Sequence, residues 1–279
     1  MGTSCSSGSM SEERDWRLLM DPPGEGVWNM AVDEAILDGV ATGASPPTLR
    51  FFQWRPACLS LGYFQPRAVV NEEACAASGI GVVRRPTGGR AILHDRELTY
   101  SVAMPVAVLS GDQAVPSSYL RVSRALLEGL RAAGAWVTLA RAEPDGGAGH
   151  GPACFDRASA HEILLDGRKL VGSAQVRRGG ALLQHGSILF EPQIEELLGC
   201  LRLDHDERDR WRRSMVRGIA GLEGHSDCRP AALADAIASA FARVFGVRLR
   251  PAEITAGERE AAGDLCREKY GNQAWTARY

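Results

Sequence analysis

The chain has 279 residues, of which 45% are hydrophobic and 24% are charged, as in an ordinary globular protein with a buried core. Its 34 acidic residues nearly balance 32 basic ones, which argues against binding to nucleic acid or to an anionic membrane surface. No apolar run approaches the roughly 18 residues that a transmembrane helix needs, and the first residues lack the apolar segment of a signal peptide. We therefore expect a cytoplasmic protein with no nucleic-acid or membrane partner.

The cysteines and histidines follow no disulfide or metal-binding pattern. Seven cysteines are scattered along the chain without a Cys-x-x-Cys pair, which is typical of a reducing compartment. His94, His161 and His185 match no zinc-site spacing. The sequence therefore predicts no metal site, and a reactive cysteine has to be recognised from its surroundings.

The first part of the chain predicts a tail, a helix and several strands. Residues 1–14 are rich in Ser and Gly, as in a disordered tail. Asn29 is expected to cap a helix whose apolar face is formed by Val32, Ala35, Ile36 and Val40. Short β-like runs follow at 49–54, 58–61, 80–85 and 98–104.

A second helix and a glycine-rich loop are expected in the middle of the chain. Ser117 or Ser118 is positioned to cap this helix, because apolar residues then recur every four positions. Gly134 is expected to end it. Residues 141–153 contain several Gly and Pro residues and no apolar periodicity, so they predict a loop.

A three-stranded meander is expected after this loop, followed by helices. Asp166-Gly167 and Gly179-Gly180 are tight-turn signals. The strands that these turns join are expected at 162–165, 169–176 and 181–190. From Pro192 the pattern is helical, and one helix is expected to end at Gly246. This order predicts one α+β domain over 15–279 with a helical C-terminal part, in which 195–279 is a candidate for a small helical subdomain.

The segment 84–90, Arg-Arg-Pro-Thr-Gly-Gly-Arg, is the first candidate site. Gly88 and Gly89 allow the backbone to approach a ligand closely, and their N–H groups can face an anion. Arg85 and Arg90 add charged donors suited to phosphate or carboxylate. The alternative is a tight turn with a solvated basic face, and the segment is neither a dinucleotide fingerprint nor a P-loop.

Cys154 and Lys169 form the second candidate site. Cys154 follows the Gly-rich loop, which can bring a nucleophile into a cleft, although a buried loop thiol is the alternative. Lys169 and Ser173 share one face of their expected strand, while Gly172 and Ala174 leave room beside it. An ammonium near a thiol favours the reactive thiolate, with each unit of lowered pKa corresponding to about 1.4 kcal/mol. A solvated turn lysine is the alternative for Lys169.

These stretches together resemble the biotin/lipoate protein ligase and transferase superfamily, and most of all its Gram-positive-type octanoyltransferases. The resemblance begins near residue 16 and is carried by segments at 28–34, 47–51, 59–65, 84–95, 97–101, 153–156, 167–190 and 275–279. It implies an α/β (α+β) fold with a mixed central sheet flanked by helices. A cleft would lie above the sheet, lined by the Gly-Gly-Arg loop and the strand that carries Lys169.

The resemblance also implies an activity, in which Cys154 takes an octanoyl group from acyl carrier protein as a thioester. The group then passes to a lysine of a lipoyl-domain protein such as the glycine cleavage H protein, with Lys169 as the family lysine. The resemblance further implies that the protein is a monomer and uses no cofactor. The substrate-binding residues expected by position are Arg85, Thr87, Gly88, Gly89, Arg90, His94, Ser173, Ala174, His185 and Gly186.

Two related activities are the alternatives. An ATP-dependent lipoate–protein ligase shares the Arg-Arg-x-Thr-Gly-Gly loop and the lysine but needs no cysteine nucleophile, so Cys154 favours the transferase. An amidotransferase that moves octanoyl between lipoyl domains would use the same cysteine. For an acidic carrier protein, the candidate basic patch consists of Arg84, Arg85, Arg90, Arg177 and Arg178.

Overall fold

Two β-sheets carry the fold in the computed structural model, which describes residues 15–109, 113–140, 161–224 and 229–279. The strands are β1 (Asp15–Met20), β2 (Thr48–Phe52), β3 (Cys58–Leu61), β4 (Gly81–Arg84), β5 (Ile92–His94), β6 (Glu97–Pro105), β7 (Val137–Leu139), β8 (Ile163–Leu165), β9 (Arg168–Arg178), β10 (Ala181–Leu189) and β11 (Arg248–Ala252). The helices are α1 (Gly26–Thr42), α2 (Glu72–Ala77), α3 (Val115–Ala132), α4 (Ile194–Gly199), α5 (His205–Gly218), α6 (Pro230–Phe245), α7 (Ala256–Leu265) and α8 (Gln273–Thr276).

The larger sheet has the strand order β11-β1-β2-β6-β10-β9-β8-β7 in the described residues, and the smaller has the order β4-β3-β5. β1 runs parallel to both β2 and β11, whereas β6, β10 and β9 pair antiparallel. The sheet is therefore mixed, as predicted. None of the helices in the described ranges is long and apolar enough to cross a membrane.

Helices cover both faces of the larger sheet. Phe51 packs in a core with residues of α3 and α6, whereas its neighbour Phe52 packs on the other face with residues of α1. The alternation follows from the two-residue period of a strand. On the first face the two helices lie close together, since a Cβ added at Gly129 of α3 would be 2.5 Å from the Ile237 backbone of α6.

Several turns predicted from sequence are confirmed. Asp166 and Gly167 have positive φ angles of 50° and 73° in the turn between β8 and β9. Gly179 and Gly180, with φ of 56° and 76°, lead from β9 into β10. The strand predicted at 58–61 is β3. The turn signals were correct because few residue types, above all glycine, readily adopt a positive φ.

Both predicted helix caps are wrong. α1 begins at Gly26, so Asn29 lies inside its first turn, and the Asn29 amide donates to the carbonyls of Gly24 and Gln53, each at 3.1 Å. α3 begins at Val115 with a proline in its first turn, and Ser118 lies within the helix. In both cases a nearby carbonyl binds the polar side chain that was expected to cap the helix.

The C-terminal part is joined to the main sheet. β11, which the sequence did not reveal, is hydrogen-bonded to β1. The guanidinium of Arg17 on β1 donates to both carboxylate oxygens of Glu258 on α7, at 2.7 and 2.5 Å, and both side chains are buried. Residues 248–252 therefore belong to the sheet that carries the site, and α7 is tied to it through Glu258.

Candidate active site

A narrow cavity lies where β9 and β10 of the larger sheet meet β3, β5 and the 84–90 loop. It contains about 360 Å³ of empty space, its open mouth included, and its exposed wall is almost entirely apolar. The lining residues are Met30, Trp54, Ser60, Arg85, Ile92, His94, Thr99, Gly172, Ser173, Ala174, His185, Gly186 and Ser187.

Six of the ten residues predicted to bind substrate line this cavity, namely Arg85, His94, Ser173, Ala174, His185 and Gly186. Gly186 has no room for a side chain, since a Cβ added there would lie 2.6 Å from the Gly172 carbonyl oxygen. Thr87 is buried behind the wall, and Gly88, Gly89 and Arg90 line grooves on the outside. The structure therefore divides the predicted set into an inner and an outer group.

The first buried polar chain in the wall links α1, β10 and the loop. His185 Nδ1 lies 3.1 Å from Asp33 Oδ2, and His185 Nε2 lies 2.7 Å from Thr87 Oγ1. Asp33 also pairs with Arg50 at 2.8 Å and accepts from the Ser101 hydroxyl at 2.8 Å. With Nδ1–H donated to Asp33, neutral His185 accepts the Thr87 hydroxyl proton at Nε2.

Burial and charge pairing determine the protonation states of Asp33 and His185. Burial lowers the pKa of His185, and the hydrogen bond that His185 donates to Asp33 opposes this only in part. For Asp33, burial raises the pKa, but the hydrogen bond to His185 and the Arg50 charge outweigh it and leave the pKa below its usual value. Near neutral pH the pair is therefore a carboxylate and a neutral imidazole.

The second buried polar chain joins the two sheets. Glu97 Oε1 lies 2.7 Å from His94 Nδ1, and His94 Nε2 lies 2.7 Å from Ser60 Oγ. The Ser187 hydroxyl donates to the same Glu97 oxygen at 2.8 Å, and the Trp54 ring stacks on His94 with centroids 4.0 Å apart. Both histidines are thus held between a carboxylate and a hydroxyl, which fixes the ring orientation on the cavity wall.

The arginines of the loop have structural roles that the sequence did not predict. Arg84 is 0% exposed, and its guanidinium donates to the carbonyls of Gly62 at 2.7 Å and Thr276 at 2.8 Å, among others. Arg85 is also buried and donates to the carbonyls of Ser60, Gly88 and Arg90. The expectation that Arg84 and Arg85 belong to an exposed basic patch is therefore wrong.

The loop lies against Gly62, whose lack of a side chain the packing requires. A Cβ added there would be 1.9 Å from the Gly89 carbonyl oxygen. Such a distance is far inside van der Waals contact, so any other residue displaces the Gly88-Gly89 backbone.

Lys169 lies on β9 but is not among the residues that line the cavity. Its Nζ donates to Glu162 Oε1 at 2.6 Å, and Lys169 is only 2% exposed. A buried ammonium requires such a carboxylate partner. Glu162 lies two residues after the segment 141–160, which contains Cys154 and lies outside the described residues. The predicted contact between Cys154 and Lys169 therefore stays a prediction.

The cysteines within the described ranges are poor nucleophiles. Burial raises the pKa of the thiols of Cys58, Cys75 and Cys266, and it raises that of Cys200 to about 12. None of the four lines the cavity. The described part of the chain also holds no cluster of three or more His, Cys, Asp or Glu residues arranged to bind a metal.

Sequence reasoning missed Asp33, Glu97 and Ser60. A usable signal existed for Asp33, because a carboxylate at this position falls among the apolar residues of α1 and must be paired if buried. Glu97 is the one charged residue of its strand and offered a similar signal. Ser60 gave none, since a serine in a short strand is ordinary.

The sequence is similar to a known family and to known enzymes over most of its length. A family model described as the lipoyl protein ligase A/B catalytic domain matches residues 25–242. Octanoyltransferase LipM from Kyrpidia tusciae is 44% identical over 271 residues, covering 94% of this chain and 98% of that protein. Octanoyltransferase LipM from Symbiobacterium thermophilum is 41% identical over 277 residues, covering 95% of this chain and 99% of that protein.

A solved structure has the same fold. It is described as a bi-partite lipoate protein ligase and its E2 lipoyl domain from Thermoplasma acidophilum, and it matches with a TM-score of 0.79 and 26% sequence identity. The match covers 94% of this chain and 96% of that chain. The chain therefore shares its fold with that lipoate protein ligase.

Proposed function

The chain belongs to the lipoyl protein ligase A/B catalytic domain family and is an octanoyltransferase of lipoate biosynthesis, and we propose that it carries the octanoyl group as a thioester on Cys154. In this proposal acyl carrier protein donates the group. A lysine of a lipoyl-domain protein, such as the glycine cleavage H protein, accepts it. No ATP is consumed, because a thioester already has the free energy needed to form an amide.

The proposed reaction consists of two acyl transfers. First, the Cys154 thiolate attacks the octanoyl carbonyl carbon, the new C–S bond forms, and the bond to the carrier's thiol breaks. The released carrier thiolate takes up a proton. Next, the acceptor amine attacks the same carbon, a C–N bond forms, and the bond to Cys154 breaks as the amine loses its proton. Covalent catalysis usually accelerates a reaction in this way, by dividing one difficult step into two easier ones.

The observation that carries the proposal is the similarity to octanoyltransferases over nearly the whole chain. The cavity supports it, because an apolar slot suits a saturated acyl chain and each buried CH₂ contributes about 0.8 kcal/mol. The raised pKa values of the described thiols support it as well, since they leave the nucleophile to be sought outside the described residues.

The Lys169–Glu162 pair refines the role proposed for the lysine. Glu162 offsets part of the positive charge that Lys169 would present to a thiolate. The attraction between Lys169 and a thiolate is therefore appreciable only over a short distance. We infer that Glu162 holds the Lys169 ammonium in a fixed place, and that the fixed ammonium favours the Cys154 thiolate.

The thioester can be tested by mixing the protein with octanoyl-acyl carrier protein in the absence of ATP. We expect a hydroxylamine-labile octanoyl adduct by intact-mass analysis, which the substitution Cys154→Ala abolishes. Cys266→Ala is the matched control, because Cys266 is the half-buried thiol among the described cysteines and should leave the adduct unchanged. An equal adduct on Cys154→Ala would remove Cys154 from the reaction.

The ATP-dependent ligase remains a second candidate, because the solved structure described above is a lipoate protein ligase. It requires ATP and free lipoate or octanoate rather than an acyl thioester. Product formation on a lipoyl domain from free octanoate and ATP, with none from octanoyl-acyl carrier protein, would favour that activity. Offering the H protein and an E2 lipoyl domain separately identifies the acceptor.

A further inference from the structure

An open groove runs along the outer side of the 84–90 loop, beside the end of β9. It contains about 1110 Å³ of empty space, open solvent included. We call it the arginine groove, and its charged lining consists of Arg177, Arg178, Lys269 and Arg278. No Asp or Glu is among its described lining residues. The whole chain carries a net charge of −2, so this concentration of positive charge is local.

Carboxylates behind the groove neutralise only part of its charge. Arg178 pairs with Glu34 at 2.7 Å and with Asp38, and Lys269 pairs with Glu34 at 2.6 Å. Four cations against two carboxylates leave a surplus of two positive charges. A groove with such a surplus attracts an acidic partner.

Arg177 and Arg278 are the two cations of the groove that no carboxylate in the described ranges neutralises. Arg177 donates to neutral oxygens, among them the Ser118 hydroxyl at 2.8 Å and the Gln113 carbonyl at 2.6 Å. The exposed Arg278 lies over the rings of Tyr63 and Trp275, each 5.3 Å from its guanidinium carbon, and forms no ion pair within the described ranges. Stacking on two rings presents a guanidinium in a fixed orientation, which suits a carboxylate or phosphate.

The groove adjoins the cavity along β9. Gly88 and Gln175 line the groove, whereas Ser173 and Ala174, two residues and one residue before Gln175 on β9, line the cavity. A flexible arm lying in the groove therefore points along β9 toward the cavity. Phe64, which is 72% exposed, stands at the rim of the groove and offers an apolar contact to a protein partner.

From this geometry we propose that the arginine groove docks the octanoyl donor, an acidic carrier protein whose thioester arm contains a phosphodiester. The proposal rests on the function proposed above and adds where the donor binds. Arg278 and Arg177 bind negative groups of the carrier or of its arm, and the arm follows β9 so that its thioester reaches the cavity.

The test compares two octanoyl donors in single-turnover acylation of the enzyme. Octanoyl-acyl carrier protein carries both the acidic surface and the phosphodiester, whereas octanoyl-N-acetylcysteamine carries neither. We expect Arg278→Glu to lower the ratio of the carrier-protein rate to the small-thioester rate by at least about tenfold, because a charge reversal acts on association with a charged partner. Arg278→Gln should lower the same ratio by a smaller factor.

Arg124→Glu is the matched control, since Arg124 is an exposed arginine of α3. It lines neither the arginine groove nor the groove beside Gly89 and Arg90. The variant should leave the ratio unchanged.

An unchanged ratio in Arg278→Glu would overturn the docking site while leaving the thioester on Cys154 intact. If neither donor acylates wild-type protein, the proposed function fails instead. Titration with acyl carrier protein lacking the octanoyl group then still tests the groove, because Arg278→Glu should weaken binding by the same factor and an unweakened affinity would refute the site.

Discussion

The wall of the cavity and the arginine groove use charge in opposite ways. In the wall, Asp33 and Glu97 are buried, and each is bound to a histidine and a hydroxyl of the same protein. In the groove, the exposed Arg278 and the half-buried Arg177 have no carboxylate partner in the described ranges. The difference indicates that the wall keeps a fixed shape around an apolar ligand, while the groove keeps charge available for another protein.

The energetics of ion pairs explain this division. A buried charge without a partner destabilises a protein by several kcal/mol, so the wall must satisfy its own carboxylates. Exposed charges contribute about 0–1 kcal/mol to stability, so a surface can retain uncompensated arginines at little cost to the fold. Substitutions should therefore affect stability and chemistry in the wall and recognition in the groove.

The largest effect is expected where the two regions meet, at Gly62. Gly62→Ala places a methyl group 1.9 Å from the Gly89 oxygen, so the loop between the cavity and the groove must move. A displacement of about 1 Å near reacting groups can cost on the order of 100-fold in rate. We expect such a loss in octanoyl transfer with both donors, measured in single turnovers.

Gly199→Ala is the control for this change, since a Cβ at Gly199 meets no atom within 4 Å. Gly62→Ala should also destabilise the protein by about 1–3 kcal/mol in urea unfolding. Wild-type rates in Gly62→Ala would show that the loop position does not matter for catalysis.

A smaller effect is expected from the titration of His185. Because burial lowers its pKa in the folded protein, the unfolded chain binds a proton more readily once the pH falls below about 6.5. The free energy of unfolding should therefore decrease with falling pH, by at most about 1.4 kcal/mol per pH unit from this group. His185→Asn should flatten that dependence in urea unfolding between neutral and mildly acidic pH.

His205→Asn is the matched control for this titration, because the His205 side chain on α5 is 87% exposed. It should leave the pH dependence of unfolding as in wild type. An equally steep dependence in His185→Asn would show that the buried chain through Asp33 does not resist protonation.

The smallest effect concerns the length of the acyl chain. Ile92→Val removes one CH₂ from the cavity wall, and the space gained corresponds to about 0.8 kcal/mol of transfer free energy. We expect the ratio of decanoyl to octanoyl transfer to rise by up to about fourfold. Ile188→Val is the control, since Ile188 is buried in β10 away from the cavity and should leave the ratio unchanged.

Local signals in the sequence predicted the local parts of this fold. Gly134 and Gly246 end α3 and α6 with φ of 89° and 67°, as expected of residues that tolerate the left-handed conformation. The pairing of β11 with β1 was not predictable in this way. These strands lie more than 200 residues apart and are joined by parallel pairing, which leaves no turn signature in the sequence.

The site was predictable by resemblance and only partly by chemistry. His94 and His185, which were singled out by their motif positions, lie on the cavity wall, and their role in substrate binding stays a prediction. Their partners come from distant elements, as with the 152 positions that separate Asp33 and His185. Arg84 was misjudged for the same reason, because exposure of an arginine depends on which carbonyls the folded chain brings to it.

The contacts of Arg84 have a consequence for the order in which the site is assembled. The carbonyl of Thr276 that binds its guanidinium belongs to α8, and the Trp275 indole of α8 donates back to the Arg84 carbonyl at 2.9 Å. A nascent chain that extends only to the end of α7 already contains every described strand, yet it lacks the α8 groups that bind Arg84. The sheet can thus form before the 84–90 loop has all its contacts, and α8, which is synthesised after every described strand, supplies the missing ones.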